Sequence, residues 1–200
     1  MPTPFDRLMD TVRPNLAGAI DIAIKQELFA VCQEFFRESN VWTEELTFTL
    51  LQGADTAEVM PFAGKIERLA WVVNADKIPV RNATMPDTYN GVILMPFAAA
   101  GDYVATVILN VSDPVSRDVF PIVPQELMDR HWQTIMHGLL AHMYAQPKKP
   151  YSDINLAALY NSKFLGGRAR ARNDAKALYR QGAQSWRFPQ TFNNHGQIRR

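Results

Sequence analysis

At Trp42 the hydrophobic period of the chain changes from three or four residues to two, so no single class of secondary structure can satisfy the whole sequence. Upstream, Leu16, Ile20, Ile24, Leu28, Val31 and Phe35 recur at helical spacing, and Ile22, Phe29 and Phe36 widen the stripe. A helix is predicted from Pro14, which suits a first turn, to about Ser39 and Asn40, and so wide a stripe implies burial on more than one side. A short apolar opening at Phe5, Leu8 and Met9 precedes it. From Trp42 onward Leu46, Phe48 and Leu50 point one way while Thr43, Glu45, Thr47 and Thr49 point the other, the pattern of a half-buried strand.

Further strands are predicted at 57–62, 67–73, 80–83, 92–96 and 103–111. Turn chemistry separates them at Gln52-Gly53, Asn74-Ala75-Asp76, Asn90-Gly91 and Gly101-Asp102. After Ser112-Asp113-Pro114 the helical period returns. Pro124 opens a helix to about Tyr144, with Met128, Trp132, Ile135, Leu139 and Met143 along one stripe. Pro147 and Pro150 bracket a corner, and Ser152 is the expected N-cap of a last helix, with Asp153 in its first turn. That helix would run some 30 residues toward Gln181, about 45 Å at the usual rise. Ala157, Ala158, Ala169, Ala171, Ala175, Ala177 and the Gly166-Gly167 pair keep its flanks thin, and the glycine pair is also a candidate break. The expected fold class is α+β, mainly α: a helical bundle from residues 1–41 and 112–181, a small antiparallel β insertion at 42–111 and an extended C-terminal arm at 182–200.

With 47 % hydrophobic and 20 % charged residues, the chain is expected to be an ordinary globular domain. Its single cysteine, Cys32, has no partner for an internal disulfide; inside an amphipathic pattern it reads as a small buried hydrophobe, and a thiolate zinc site is excluded. The start, PTPFDRLMD, lacks the basic and apolar stretches of a secretory signal, and no run of eighteen apolar residues follows. The expectation is a soluble protein made in the cytosol, without a membrane partner.

Charge is unevenly placed. Residues 1–144 carry ten Lys+Arg against eighteen Asp+Glu, a net of −8, whereas residues 145–200 carry eleven against two, a net of +9. The basic end suits nucleic acid or an acidic protein surface, or is a solvated tail. Beyond Gly182 the segment SWRFPQTFNNHGQIRR has no period, yet places Trp186, Phe188 and Phe192 among Arg187, Arg199 and Arg200. Solvated tails are depleted in aromatics, so the segment reads as a docking arm, with folding back on its own core as the alternative.

No arrangement announces catalysis. The phosphate-binding G-x-x-x-x-G-K loop, the dinucleotide G-x-G-x-x-G, H-E-x-x-H, G-x-S-x-G and C-x-x-C are all missing from the sequence. His131, His137 and His142 share one predicted helix at spacings of six and five, which do not stack side chains as i and i+4 would. Glu44 and Glu45 are adjacent on a strand and point to opposite faces. Pro86-Asp87 starts a metal-nuclease motif that no Glu-x-Lys completes. No catalytic residue, cofactor or metal is expected; an enzyme with a site assembled from dispersed residues is kept as a third reading.

Four segments, in order, carry a resemblance: IKQELFAVCQEFFRESNVWTEEL at 24–46, DPVSRDVFPIVPQEL at 113–127, HGLLAHMYAQPKKPYSD at 137–153 and YRQGAQSWRFPQTF at 179–192. The chain resembles the phage head-to-tail connector or adaptor proteins, the tail-tube-A-like ring components of short-tailed phages and their relatives in other tailed phages. The resemblance implies a structural virion protein at the head–tail interface, assembled in the host cytoplasm as a twelve-fold ring. Such a ring joins the portal protein to a tail or nozzle protein and continues the exit channel, through which double-stranded DNA passes without specific binding. In that family the C-terminal arm commonly touches the portal, a role that falls here on Trp186, Arg187, Phe188, Pro189, Phe192, Arg199 and Arg200. Arg168, Arg170, Arg172, Lys176 and Arg180 on the last helix are expected to contact the neighbouring subunit or line the channel; a channel that lets DNA slide gains little from tight phosphate binding, which favours the protein contact. The alternative is a DNA-binding module using the same basic helix and aromatic tail.

Overall fold

A computed structural model describes residues 4–113 and 123–180 of the chain. Helix α1 (Pro4–Val12) buries Phe5, Leu8, Met9 and Val12. A 3-10 turn at Arg13–Asn15 and Gly18 in the left-handed region, φ 80°, then break the path before helix α2 (Asp21–Ser39). The unbroken helix predicted from Pro14 is corrected accordingly. Leu16 is buried from the bend, while Ile20, at the N-cap of α2, is 67 % exposed. Asn40 ends α2 at φ 59°, a conformation asparagine tolerates as a C-cap, and its N–H donates to the Phe36 carbonyl. The reversal sets the Trp42 ring edge-on against Phe36, centroids 5.4 Å apart.

Six strands follow: β1 (Thr43–Leu50), β2 (Thr56–Glu58), β3 (Lys65–Asn74), β4 (Thr84–Asp87), β5 (Val92–Leu94) and β6 (Gly101–Asn110). They form two antiparallel sheets, ordered β1-β6-β3 and β2-β5-β4. The pairings Leu46 with Ala105, and Leu69 with Val107, put the apolar alternates of the first sheet on one face. That face is buried with Ile93 of the second sheet, and with Met95 just past β5, in a core continuous with the helices. On the opposite face Thr47, Thr49 and Asp102 meet solvent, with the Thr49 hydroxyl donating to Asp102 at 2.7 Å. The central strand β6 is buried on both faces from Ala105 to Asn110 and packs against α2.

The segment predicted as a strand at 80–83 is instead a turn, in which the Val80 N–H donates to the Val72 carbonyl at 2.9 Å. The strand forms a few residues later as β4, an edge strand, where Pro86 has no ladder N–H to supply.

Helices α3 (Gln125–Ala145) and α4 (Ile154–Arg180) form an antiparallel pair. The Asp153 carboxylate accepts the N–H groups of Asn155 and Leu156 at 2.9 and 3.0 Å, so Asp153, not Ser152, caps α4. The Gly166-Gly167 pair does not interrupt the 27 residues of α4.

Among the described residues 46 % are helical and 24 % are in strands, so the protein is a mixed α/β chain. This corrects the expected class, mainly α with a small β insertion. Two sheets rather than a single small one supply much of the core, through Leu50, Ile66, Val72, Ile93, Val107 and Leu109, and the bend before α2 removes helix counted from the period. The expected arm at 182–200 lies outside the described residues.

Glycines fix how closely the helices approach. A Cβ on Gly138 would stand 2.7 Å from Val31 Cγ1 of α2 and 2.8 Å from Phe164 Cδ2 of α4, and one on Gly167 would stand 2.5 Å from the Thr134 hydroxyl; one on Gly166 would meet nothing within 4 Å. Gly138→Ala is therefore expected to destabilise the protein by about 1–3 kcal/mol through overpacking. Gly166→Ala is expected to stabilise it by up to about 1 kcal/mol, because an exposed helix glycine is replaced by the best helix former. Urea unfolding of both variants checks the opposite signs.

Candidate protein-contact surface

Helix α4 buries a narrow face, Ala157, Phe164, Gly167, Ala171 and Ala175, at spacings that keep returning to one side. Most of its other described side chains turn outward. Ile154, Leu156, Leu159 and Leu165 are exposed, as are Arg170, Arg172 and Lys176. Helical spacing places Ile154, Leu165, Arg172 and Lys176 along the flank facing α2. Two open hollows mark that seam: one of about 400 Å³ lined by Glu27, His142, Ile154 and Ala158, and one of about 290 Å³ lined by Glu38, Leu165, Arg172 and Lys176.

Arg168 differs from the other cations on α4. Its guanidinium donates to Glu34 Oε1 at 2.5 Å and lies 5.7 Å over the Phe164 ring. The second oxygen of Glu34 is 3.8 Å from His142 Nε2, and His142 Nδ1 is 3.2 Å from Glu27 Oε2. Gln146 donates to Glu27 Oε1 at 3.1 Å, and the Tyr151 hydroxyl donates to Gln146 at 2.8 Å. These six side chains make one polar chain across α2, α3, α4 and the corner between the last two. Partial burial gives such a network more weight than isolated surface pairs carry.

Of the expected helix contacts, Arg170, Arg172 and Lys176 are thus presented outward, and Arg168 is engaged within the subunit. Arg180 ends α4, its side chain outside the described residues. Trp186, Arg187, Phe188, Pro189, Phe192, Arg199 and Arg200 also lie outside them. Sequence reasoning missed the exposed apolar residues of α4. The signal was available: Ala157, Phe164, Ala171 and Ala175 already complete one buried stripe, which leaves Ile154, Leu156, Leu159 and Leu165 off it.

The candidates for chemistry occupy structural positions. Cys32 is wholly buried, and burial pushes its thiol up, away from the reactive thiolate. Asp87 accepts the N–H groups of Tyr89 and Asn90 and the Asn90 amide, bonds that hold its carboxyl below the usual range, the Asn90 backbone bond most. The Glu44 carboxylate accepts the Phe62 N–H, while Glu45 is exposed. His131 packs 5.2 Å from the Phe35 ring, and burial lowers its pKa, Arg130 adding to the effect and Asp174 opposing it. His137 is lowered by burial and then by Lys163. Among the described residues no three His, Cys, Asp or Glu side chains gather to hold a metal ion, and no helix is long and apolar enough to cross a membrane.

No protein-family model matches the chain, and no curated protein matches it.

A histidine held below its ordinary 6.5 in the fold takes up a proton less readily than the same residue unfolded. Above pH 6.5 both states are neutral and the group adds no pH dependence. Below it the unfolded chain binds more protons, and stability falls as pH drops toward the lowered folded value. The melting temperature is therefore expected to decline with acidification below pH 6.5, and His131→Gln is expected to flatten that decline, leaving the share due to His137. Thermal unfolding from about pH 8 to about pH 5 measures both slopes.

Proposed function

We propose that this chain is a structural subunit of a phage virion, a head-to-tail adaptor that forms a ring between portal and tail and carries no catalysis. The observation that supports the reading is the exposed flank of α4, where Ile154 and Leu165 lie in line with Arg172 and Lys176. Apolar side chains beside arginine are the chemistry of a protein interface. Phosphate contacts use cations and polar hydrogen bonds and have no use for leucine. The first 144 residues are net −8, so an acidic surface is at hand on any neighbouring copy.

The subunit contact falls on Arg170, Arg172 and Lys176, and the portal contact on the segment around Trp186, Arg187, Phe188 and Phe192. DNA passes through the ring without specific binding, and the adaptor sits at the head–tail interface of the particle.

The test mixes purified portal rings with the full chain and with variants, following assembly by negative-stain imaging and sedimentation. Arg172→Glu combined with Lys176→Glu is expected to block ring formation while circular dichroism stays unchanged, since both side chains are exposed. Trp186→Ala and Phe188→Ala are each expected to weaken portal docking by about 2 kcal/mol, the scale of aromatic anchors. A chain that ignores portals but binds duplex DNA, with affinity falling steeply in salt, would instead establish the DNA-binding module.

A further inference from the structure

We infer that the groove between α1 and α3 is a binding site for an aromatic–basic peptide, and that in the free subunit its occupant is this chain's own segment Trp186-Arg187-Phe188-Pro189. The groove is walled by Arg7, Leu8 and Thr11 from α1 and by Met128, Asp129 and Trp132 from α3, and holds about 260 Å³. Small-molecule sites run to roughly 300–1,000 Å³, so this volume suits one large aromatic side chain better than a cofactor. Its floor, Leu8 and Met128, is apolar and almost fully buried, whereas Trp132 on its rim is 39 % exposed. The Asp129 carboxylate stands at the edge and accepts a weak bond from the Gln125 amide, at 3.3 and 3.4 Å. An apolar floor, an exposed indole and a carboxylate at the rim match a segment that alternates aromatic rings with arginine.

Reach selects the occupant. Helices α3 and α4 are antiparallel, with Gly138 beside Phe164 and Thr134 beside Gly167. That register sets Met128 and Asp129 level with about residue 173 of α4, so Arg180 stands about 10 Å beyond the groove along the axis. Crossing from α4 past α3 adds about two interaxial spacings of 8–10 Å, which makes the direct path roughly 20 Å. The six residues from Arg180 to Trp186 extend to about 20 Å and the eight to Phe188 to about 27 Å. Charge favours the same pairing, because residues 182–200 hold three arginines and no acid while the body up to residue 144 is net −8.

Docked in this way, the aromatics have the hydrophobic pocket that the segment itself does not supply. The docked state stands whether or not the chain binds a portal. Where it does, the portal and the groove compete for the same side chains, and the subunit's affinity for a partner is lowered by the fraction of time the groove is filled.

The test uses the full chain carrying Thr11→Cys and Ser185→Cys, oxidised mildly and analysed by mass and by non-reducing electrophoresis. Thr11 is exposed at the groove, and Cys32, wholly buried, does not compete. A crosslinked monomer is expected, forming at a rate independent of dilution and at least ten times faster than a control pairing Ser185→Cys with Thr47→Cys on the open sheet face. Adding Asp129→Lys is expected to slow the monomer crosslink several-fold. A crosslinked dimer whose formation falls with dilution would overturn the proposal in favour of a neighbouring copy's arm. A rate equal to the control, or one indifferent to Asp129→Lys, would overturn the site altogether. No portal is needed for any of these readings, so their outcome is separate from the success or failure of the adaptor assignment.

Discussion

The approach of three helices at Gly138 is the constraint on which the rest of the helical layer depends. With no side chain there, α3 comes close enough for Val31 of α2 and Phe164 of α4 both to press against its backbone. Phe164 is wholly buried at this point, and the contact is continued along α4 by Gly167, Ala171 and Ala175. A helix seated on so narrow a face has most of its circumference left over. The exposure of its leucines and cations is thus a consequence of the glycine and alanine contacts. The same proximity brings the Arg168 guanidinium within reach of Glu34, and Glu34 within reach of His142. Close-packed interiors transmit such constraints because side chains have few alternative positions.

A second junction joins the helices to the sheets. The left-handed Asn40 turns the chain out of α2, Trp42 packs on Phe36, and Leu109 of β6 donates its N–H to the Trp42 carbonyl at 2.8 Å. Gly64, at φ 80°, lies under the same indole, where a Cβ would come within 2.8 Å of the ring. The Arg68 side chain of β3 donates to the Asn40 side chain, bracing the reversal from the other side of the sheet. Helices and sheets consequently share one continuous core.

What was legible in the sequence followed from local period and turn chemistry. The change at Trp42, the alternation of β1, the long run of β6, α3, and a long last helix all rest on neighbouring residues, and all are found in the structure. The bend at 16–20 was hidden because a buried Leu16 keeps the helical spacing although its backbone is not helical. The strand at 80–83 was misplaced because its apolar residues serve a turn against β3. The balance of helix to strand was misjudged although strands overlapping β2 and β5 were predicted, because local period does not say that the strands divide into two sheets that supply much of the core. Contacts such as Arg168 with Glu34, 134 residues apart, lie beyond any local pattern. Of the expected contact residues, Arg170, Arg172 and Lys176 are found on the surface and Arg168 is engaged within the subunit, while the side chain of Arg180 and the segment from 182 onward fall outside the described residues.

The placement of charge bears on the kind of assembly an adaptor of this form would make. In a two-fold dimer each surface meets its own copy, so a patch bearing Arg172 and Lys176 near the axis would face like charge. A head-to-tail contact instead sets the basic helix of one subunit against the acidic body of the next, and every copy repeats the same complementary pairing. Such a contact closes into a ring when its rotation divides the circle and otherwise runs on as a filament. Charge alone does not fix that rotation, because Coulomb attraction between exposed groups is long-ranged, weakly directional and screened by salt. The exposed leucines on the same helix supply short-ranged packing, which depends on shape and on the angle of approach. For the adaptor reading proposed here, the cations would bring the copies together and the apolar residues between them would set the angle at which they stay.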